Sequence, residues 1–251
     1  MGRIKKPVEC QRIISNFWFS ALDGGETSLI AGLLDYHSEL TVAYELCALA
    51  YLKGEELPYR GHDLFGKHVQ SFIAGCQSAA NQRADMLWGN KITTEQLFGL
   101  EDHNVLNPDL KIDVLDELFN NHLKNVNVIF ILRDGRTCIN SKIQRTGQPI
   151  EKAAERWKYS VTCYRFFKTR HSNNIYIRFE DMLFRPEKTL TQICDFLNVP
   201  YEDAMLLGTN NKKMLPEYRQ NKFDLTKTKS IVLPDDIMTV IKEDLEYCGY
   251  S

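Results

Sequence analysis

Arg133 and Ser141 stand eight positions apart in the stretch Val128-Ile129-Phe130-Ile131-Leu132-Arg133-Asp134-Gly135-Arg136-Thr137-Cys138-Ile139-Asn140-Ser141. A guanidinium can fork onto a phosphate, and a hydroxyl can add a neutral donor to the same group. A second stretch, Leu22-Asp23-Gly24-Gly25-Glu26-Thr27-Ser28, joins two glycines to two hydroxyls. Strand, glycine loop and helix in that order cradle a phosphate on backbone N–H donors. The loop is not a Walker A motif, which needs lysine directly before the Ser/Thr; Glu26 is there instead. Magnesium-dependent nucleoside triphosphate chemistry is therefore disfavoured. Two further polar residues close short apolar runs: Glu45 after residues 40–44, and Lys91 after residues 85–90. The plain alternative for each of these residues is a solvated surface group.

These groups meet only if strands and helices bring them together. Residues 128–132 form an apolar, β-branched run too short for a typical helix, and read as a strand buried on both faces. A turn is expected at Asp134-Gly135 and a helix from Thr137 to Ile143. In an open parallel sheet, ligands bind outside the carboxyl ends of the strands. Arg133 thus sits where a ligand is expected, and the helix N-terminus behind it favours an anion. Strand candidates are residues 11–20, 40–45, 85–91 and 174–182. Helices are expected at 27–36, 46–52, 67–80, 111–124, 151–168, 187–198 and 234–247, most with an apolar face at helical spacing. His62, His68 and His103 are solitary and read best as structural or surface histidines.

Arg133-Asp134-Gly135-Arg136 with Ser141 resembles the 3′-phosphate-binding motif of sulfotransferases that use 3′-phosphoadenosine 5′-phosphosulfate (PAPS). The resemblance implies that Arg133 and Ser141 hold the 3′-phosphate. Gly24-Gly25-Glu26-Thr27-Ser28-Leu29, followed by Leu33-Leu34-Asp35-Tyr36-His37, resembles the family's 5′-phosphosulfate loop and the helix behind it. Gly24 replaces the family's Arg or Lys, and Glu26 its Gly. Gly25, Thr27 and Ser28 are carried over as donors. Glu45 matches the offset of the catalytic base in tyrosylprotein sulfotransferases; it would take the proton from an acceptor hydroxyl. Many cytosolic sulfotransferases use a histidine for that step, so the resemblance also allows His62, His68 or His103 in place of Glu45. Lys91 resembles the family lysine that contacts the sulfuryl group and the leaving phosphate, where it would stabilise charge growing in the transition state. Phe179-Glu180-Asp181-Met182 and Phe196-Leu197-Asn198-Val199-Pro200 resemble later family segments. Phe179 replaces a tyrosine, leaving only ring packing against the adenine. Lys227, Lys229 and Ser230 are candidates from a C-terminal loop that closes over the nucleotide. The implied fold is a three-layer, P-loop NTPase-like α/β/α sandwich around a central, mostly parallel sheet of about five strands. The implied reaction transfers a sulfuryl group from PAPS to a hydroxyl or amine and releases 3′-phosphoadenosine 5′-phosphate (PAP), with no metal. The acceptor would be a small molecule, a glycan or a peptide hydroxyl.

The whole chain of 251 residues and 29.1 kDa reads as one such domain, without repeat or linker. Its net charge of −2 gives no bulk attraction for nucleic acid or an anionic membrane, so an anion site must come from local placement. The seven cysteines are scattered, with no Cys-x-x-Cys pair, which fits reduced thiols and a cytoplasmic setting better than a disulfide framework. No apolar run approaches membrane-spanning length. Two rivals remain. One is a catalytically degenerate relative that holds PAP or a sulfated ligand, kept alive by Gly24 and Glu26. The other is a P-loop phosphotransferase, which the missing Walker lysine opposes.

Overall fold

In the computed structural model, which describes residues 17–21, 25–55, 64–229 and 231–250, the apolar run before Arg133 is a strand buried along nearly its whole length. In chain order the elements are β1 (Phe17–Ala21), α1 (Gly25–Leu34), β2 (Leu40–Tyr44), α2 (Gln70–Asn81), β3 (Leu87–Lys91), α3 (Thr94–Leu100), α4 (Asp102–Leu106) and α5 (Val114–Asp116). They continue with β4 (Asn127–Leu132), α6 (Gly135–Thr146), α7 (Ile150–Arg170), β5 (Asn174–Arg178), α8 (Phe179–Phe184), α9 (Pro186–Leu197) and α10 (Asp235–Tyr247). The fold is α/β.

The strands pair in the order β2-β3-β1-β4-β5, and every pairing is parallel. β4 shows why both faces must be covered. Val128, Phe130 and Leu132 join one apolar cluster with α2, α3, α6, α7 and α10. Ile129 and Ile131 join the other, with α1, α8 and α9. Alternate side chains of a strand point to opposite faces, so a run apolar at every position needs two cores.

The chain leaves β1 toward β2 and β3 on one side, and later takes up β4 and β5 on the other. The helix after β1 packs on one face, whereas the helices after β4 pack on the opposite face. A crevice opens outside the carboxyl ends of two neighbouring strands where the winding reverses in this way. Here those strands are β1 and β4.

Several local expectations change. Asp134 and Gly135 do not form a turn: Asp134 is the N-cap of α6, its carboxylate accepting from the Arg136 N–H at 2.9 Å, and Gly135 opens the helix. Gly135 is small for want of space, since a Cβ there would lie 2.5 Å from the Trp157 ring. The helix expected at 111–124 begins only at Val114 and widens into a π-type turn at Glu117–His122. The segment at 46–52 is likewise a single π-type turn, Ala48–Leu52. The strand at 174–182 stops at Arg178, and its exit is α8. The basic segment after Asn210, read as a loop, carries short 3₁₀ turns at Pro216–Tyr218 and Leu225–Thr228.

Candidate active site

Lys91 ends β3 and is almost wholly buried. Its ammonium is ion-paired with Glu45. Glu45 follows β2 with a positive φ of 56°, a conformation that side-chain-bearing residues adopt only when their surroundings hold them there. The holding groups are identifiable. The Glu45 N–H donates to the Lys91 carbonyl at 2.7 Å. One residue on, the buried Asn90 amide accepts from the Leu46 N–H at 3.1 Å and donates to the Leu46 carbonyl at 3.0 Å. The second Glu45 oxygen accepts from Gln96 Nε2 at 2.6 Å. Gln96 and Asn90 escape the sequence reading, although Thr93-x-x-Gln96 carries the spacing of a helix capping box.

Arg133, just past β4, is 4% exposed. Its Nε donates to Thr137 Oγ1 at 2.9 Å and its Nη2 to the Lys227 carbonyl at 3.0 Å. Its guanidinium lies over the Phe179 ring, 5.1 Å from the centroid. Phe179 is itself buried beneath that contact, so the ring expected to pack on adenine supports the arginine. Ser141 is half-buried on α6. It lies one turn beyond Thr137, on the helix face that receives Arg133. The N–H of Asp134 donates to Glu180 Oε1 at 3.1 Å, and Tyr250 donates to Glu180 Oε2 at 2.9 Å. The Phe179-Glu180-Asp181-Met182 segment thus braces the turn of chain that carries Arg133.

Lys227 comes to this cluster through its backbone, while Lys229 is exposed. Burial holds the Lys227 ammonium below its usual range, and the charge of Arg133 acts in the same direction. Burial also lowers Arg133. Two cations that disfavour one another in a partly dry site suit an anion, which would offset both costs.

Thr27 and Ser28 are buried in the first turns of α1. Gly25 opens that helix; Gly24, Ser230 and His62 lie outside the described residues. Because β1 lies between β3 and β4, its carboxyl end at Ala21 is flanked by the strand end carrying Lys91 on one side and the one leading to Arg133 on the other. His68 and His103 each bond a backbone carbonyl, at 2.8 Å to Tyr51 and 3.2 Å to Leu110.

The Leu33-Leu34-Asp35-Tyr36-His37 segment has a structural role. The Asp35 carboxylate accepts from the Val42 N–H at 2.9 Å, from Asn211 Nδ2 at 2.9 Å and from Lys213 Nζ at 2.6 Å. His37 Nε2 is 2.5 Å from the Pro200 carbonyl, and its Nδ1 accepts from the Glu39 N–H at 2.9 Å. Together they tie the end of α1 to β2 and to the segments after α9.

Residues 110–203 match the model of the Sulfotransferase family. Among solved structures, the sulfotransferase domain from the curacin biosynthetic pathway is similar at 18% identity and a TM-score of 0.65, over 94% of this chain and 98% of that one. The sulfotransferase domain from the Synechococcus PCC 7002 olefin synthase is similar at 19% identity and a TM-score of 0.67, over 94% and 95% of the two chains. A sulfotransferase from Alicyclobacillus acidocaldarius is similar at 12% identity and a TM-score of 0.53, over 93% and 94%. No curated protein sequence matches significantly. The resemblance to sulfotransferases read in the sequence is borne out, and at these identities the solved structures bear it out as a likeness of fold.

Proposed function

We propose that the chain, as a single domain, is a sulfotransferase that moves a sulfuryl group from PAPS to a hydroxyl or amine acceptor and releases PAP. The observation that carries this reading is the flanking of the carboxyl end of β1 by two polar clusters, Lys91–Glu45 and Arg133–Lys227. One cluster suits the reacting end of the donor and the other its ribose-linked phosphate. Arg133 forks onto the 3′-phosphate, with Ser141 adding a hydroxyl and Lys227 a second charge. Phe179 supports Arg133 from below, and Lys229 and Ser230 remain candidates for closing over the nucleotide. Gly24 and Gly25, with Thr27 and Ser28, donate to the 5′-phosphosulfate.

In the transfer step the acceptor oxygen bonds to sulfur as the bond from sulfur to the bridging phosphate oxygen breaks. The acceptor proton goes to Glu45. Negative charge grows on the leaving phosphate, where Lys91 lies. An ammonium has three N–H donors; one serves Glu45, which leaves donors for the leaving oxygen. Cations and backbone donors do this work on our reading, without a metal. We propose a cytoplasmic setting; among the described residues no helix is long and apolar enough to cross a membrane.

Radiolabelled PAPS, offered with a panel of alcohols, phenols and amines, tests the reading. Arg133→Ala should raise the donor KM by roughly 10- to 100-fold, the loss of a charge-assisted hydrogen bond pair. Lys91→Ala and Glu45→Ala should lower kcat by about 100-fold or more at little change in donor KM. Unchanged kcat in Glu45→Ala removes it as base. The second reading, a degenerate relative that only binds PAP, is favoured by Gly24 and Glu26 in place of the family's cation and glycine. Calorimetric binding of PAP without transfer to any member of the panel would support that reading instead.

A further inference from the structure

The side chain of Gln96 is 3% exposed and stands between two fixed partners. Its Oε1 accepts from the Thr93 N–H at 2.8 Å, at the start of α3. A backbone N–H can only donate, so that contact decides which end of the amide is oxygen. Nε2 is therefore the end that faces Glu45, and it donates to Oε2 at 2.6 Å. Lys91 takes the other oxygen, Oε1. The two donors come from different elements, β3 and α3, and together they fix the plane of one carboxylate. The next residue back, Glu95, is ion-paired with the buried Lys142, which follows Ser141 on α6. The first turn of α3 thus joins the Glu45 side of the site to the helix carrying Ser141.

We infer that Gln96 is a positioning residue for the transfer step: it holds Glu45 in the orientation from which the carboxylate takes the acceptor proton. The inference rests on the reading of Glu45 as base. Lys91 does not do this alone, because it holds only Oε1, and a carboxylate held at one oxygen can still turn about that contact. A neutral amide anchored by a backbone donor keeps the carboxylate in place without adding charge. A base displaced by about an ångström loses on the order of 100-fold in rate.

Gln96→Glu separates this role from a structural one. The new carboxylate still accepts from the Thr93 N–H, so the helix cap survives, but the donor to Glu45 is gone. With PAPS and the best hydroxyl acceptor of the panel, kcat should fall roughly 10- to 100-fold with donor KM unchanged, while the second carboxylate buried beside Glu45 lowers the melting temperature. A crystal structure of the variant should show the Glu45 carboxylate turned from Lys91. Wild-type kcat, or a Glu45 that keeps its place, overturns the inference. Should Gln96→Glu fail to fold, Gln96→Met is compared with Thr93→Val, which loosens the same cap without touching the donor. Loss of kcat in the first alone upholds the role, and equal kcat in the two overturns it. Glu45→Ala is run alongside: full activity there sinks the base itself, whereas an inactive Glu45→Ala beside an active Gln96→Glu sinks only the role of Gln96.

Discussion

Arg133 keeps its charge where little water reaches it, because a guanidinium does not release its proton in proteins. The protein meets the cost with a hydroxyl, a carbonyl and an aromatic face. Lys227 is different, since an ammonium can be pushed toward neutrality, and burial beside Arg133 pushes it that way. His171 shows the same physics away from the site. It is buried among the rings of Phe119 and Phe167, and neither ring nitrogen has a hydrogen-bond partner. Burial lowers it from its ordinary value of 6.5. Below that pH the unfolded chain takes up a proton that the folded chain refuses, so stability falls as pH drops from 6.5 toward the lowered folded value. His171→Phe should flatten this dependence. Thermal melts between about pH 7 and 5 check it: the unmodified chain should lose melting temperature faster than the variant.

At the scale of elements, α1 is held by unusually close backbone contact. Gly32 faces Gly208, in the 3₁₀ turn Asp203–Asn210 that follows α9. A Cβ on Gly208 would lie 2.2 Å from the Gly32 carbonyl and 2.5 Å from Leu33 Cα. Asn211 adds a bond to the same carbonyl at 3.3 Å. Backbone cannot step aside as a flexible side chain does, so Gly208→Ala should cost about 1–3 kcal/mol. For a chain of this size that lowers the melting temperature by roughly 2–10 °C, readable by calorimetry. α1 would shift as well, and with it Thr27 and Ser28, so the donor KM should rise in the same variant.

For the molecule as a whole, the sheet order matters more than any one contact. β1 is central, and the strand ends that carry Lys91 and Arg133 come from its two neighbours. A donor spanning both clusters would bind the folded chain and not the unfolded one. PAP at about 100 times its Kd should then stabilise by about 2.7 kcal/mol. The melting temperature should rise by roughly 5–10 °C, and at the same PAP concentration Arg133→Ala should cut the shift by about half or more. A melt indifferent to PAP would mean that the nucleotide has no site here.

The sequence by itself determined most of the elements and singled out the residues on which the proposed chemistry rests. Residues 128–132 are apolar at every position, so they had to form a strand covered on both sides, and the arginine after them had to stand at its carboxyl end. In the helix expected at 151–168, Ala154, Trp157, Val161, Tyr164 and Phe167 or Phe166 recur at helical spacing and had to be core, and all of them, both phenylalanines included, are buried. Arg133, Ser141, Glu45 and Lys91 could be singled out because their types and offsets are local facts. Only the tertiary structure decided what touches what. Gln96 reaches Glu45 across 51 positions, Lys227 reaches Arg133 across 94, and Asp35 takes Asn211 across 176. Periodicity describes one element at a time. A hydrogen bond between elements depends on strand order and helix placement, which are fixed by packing two cores at once.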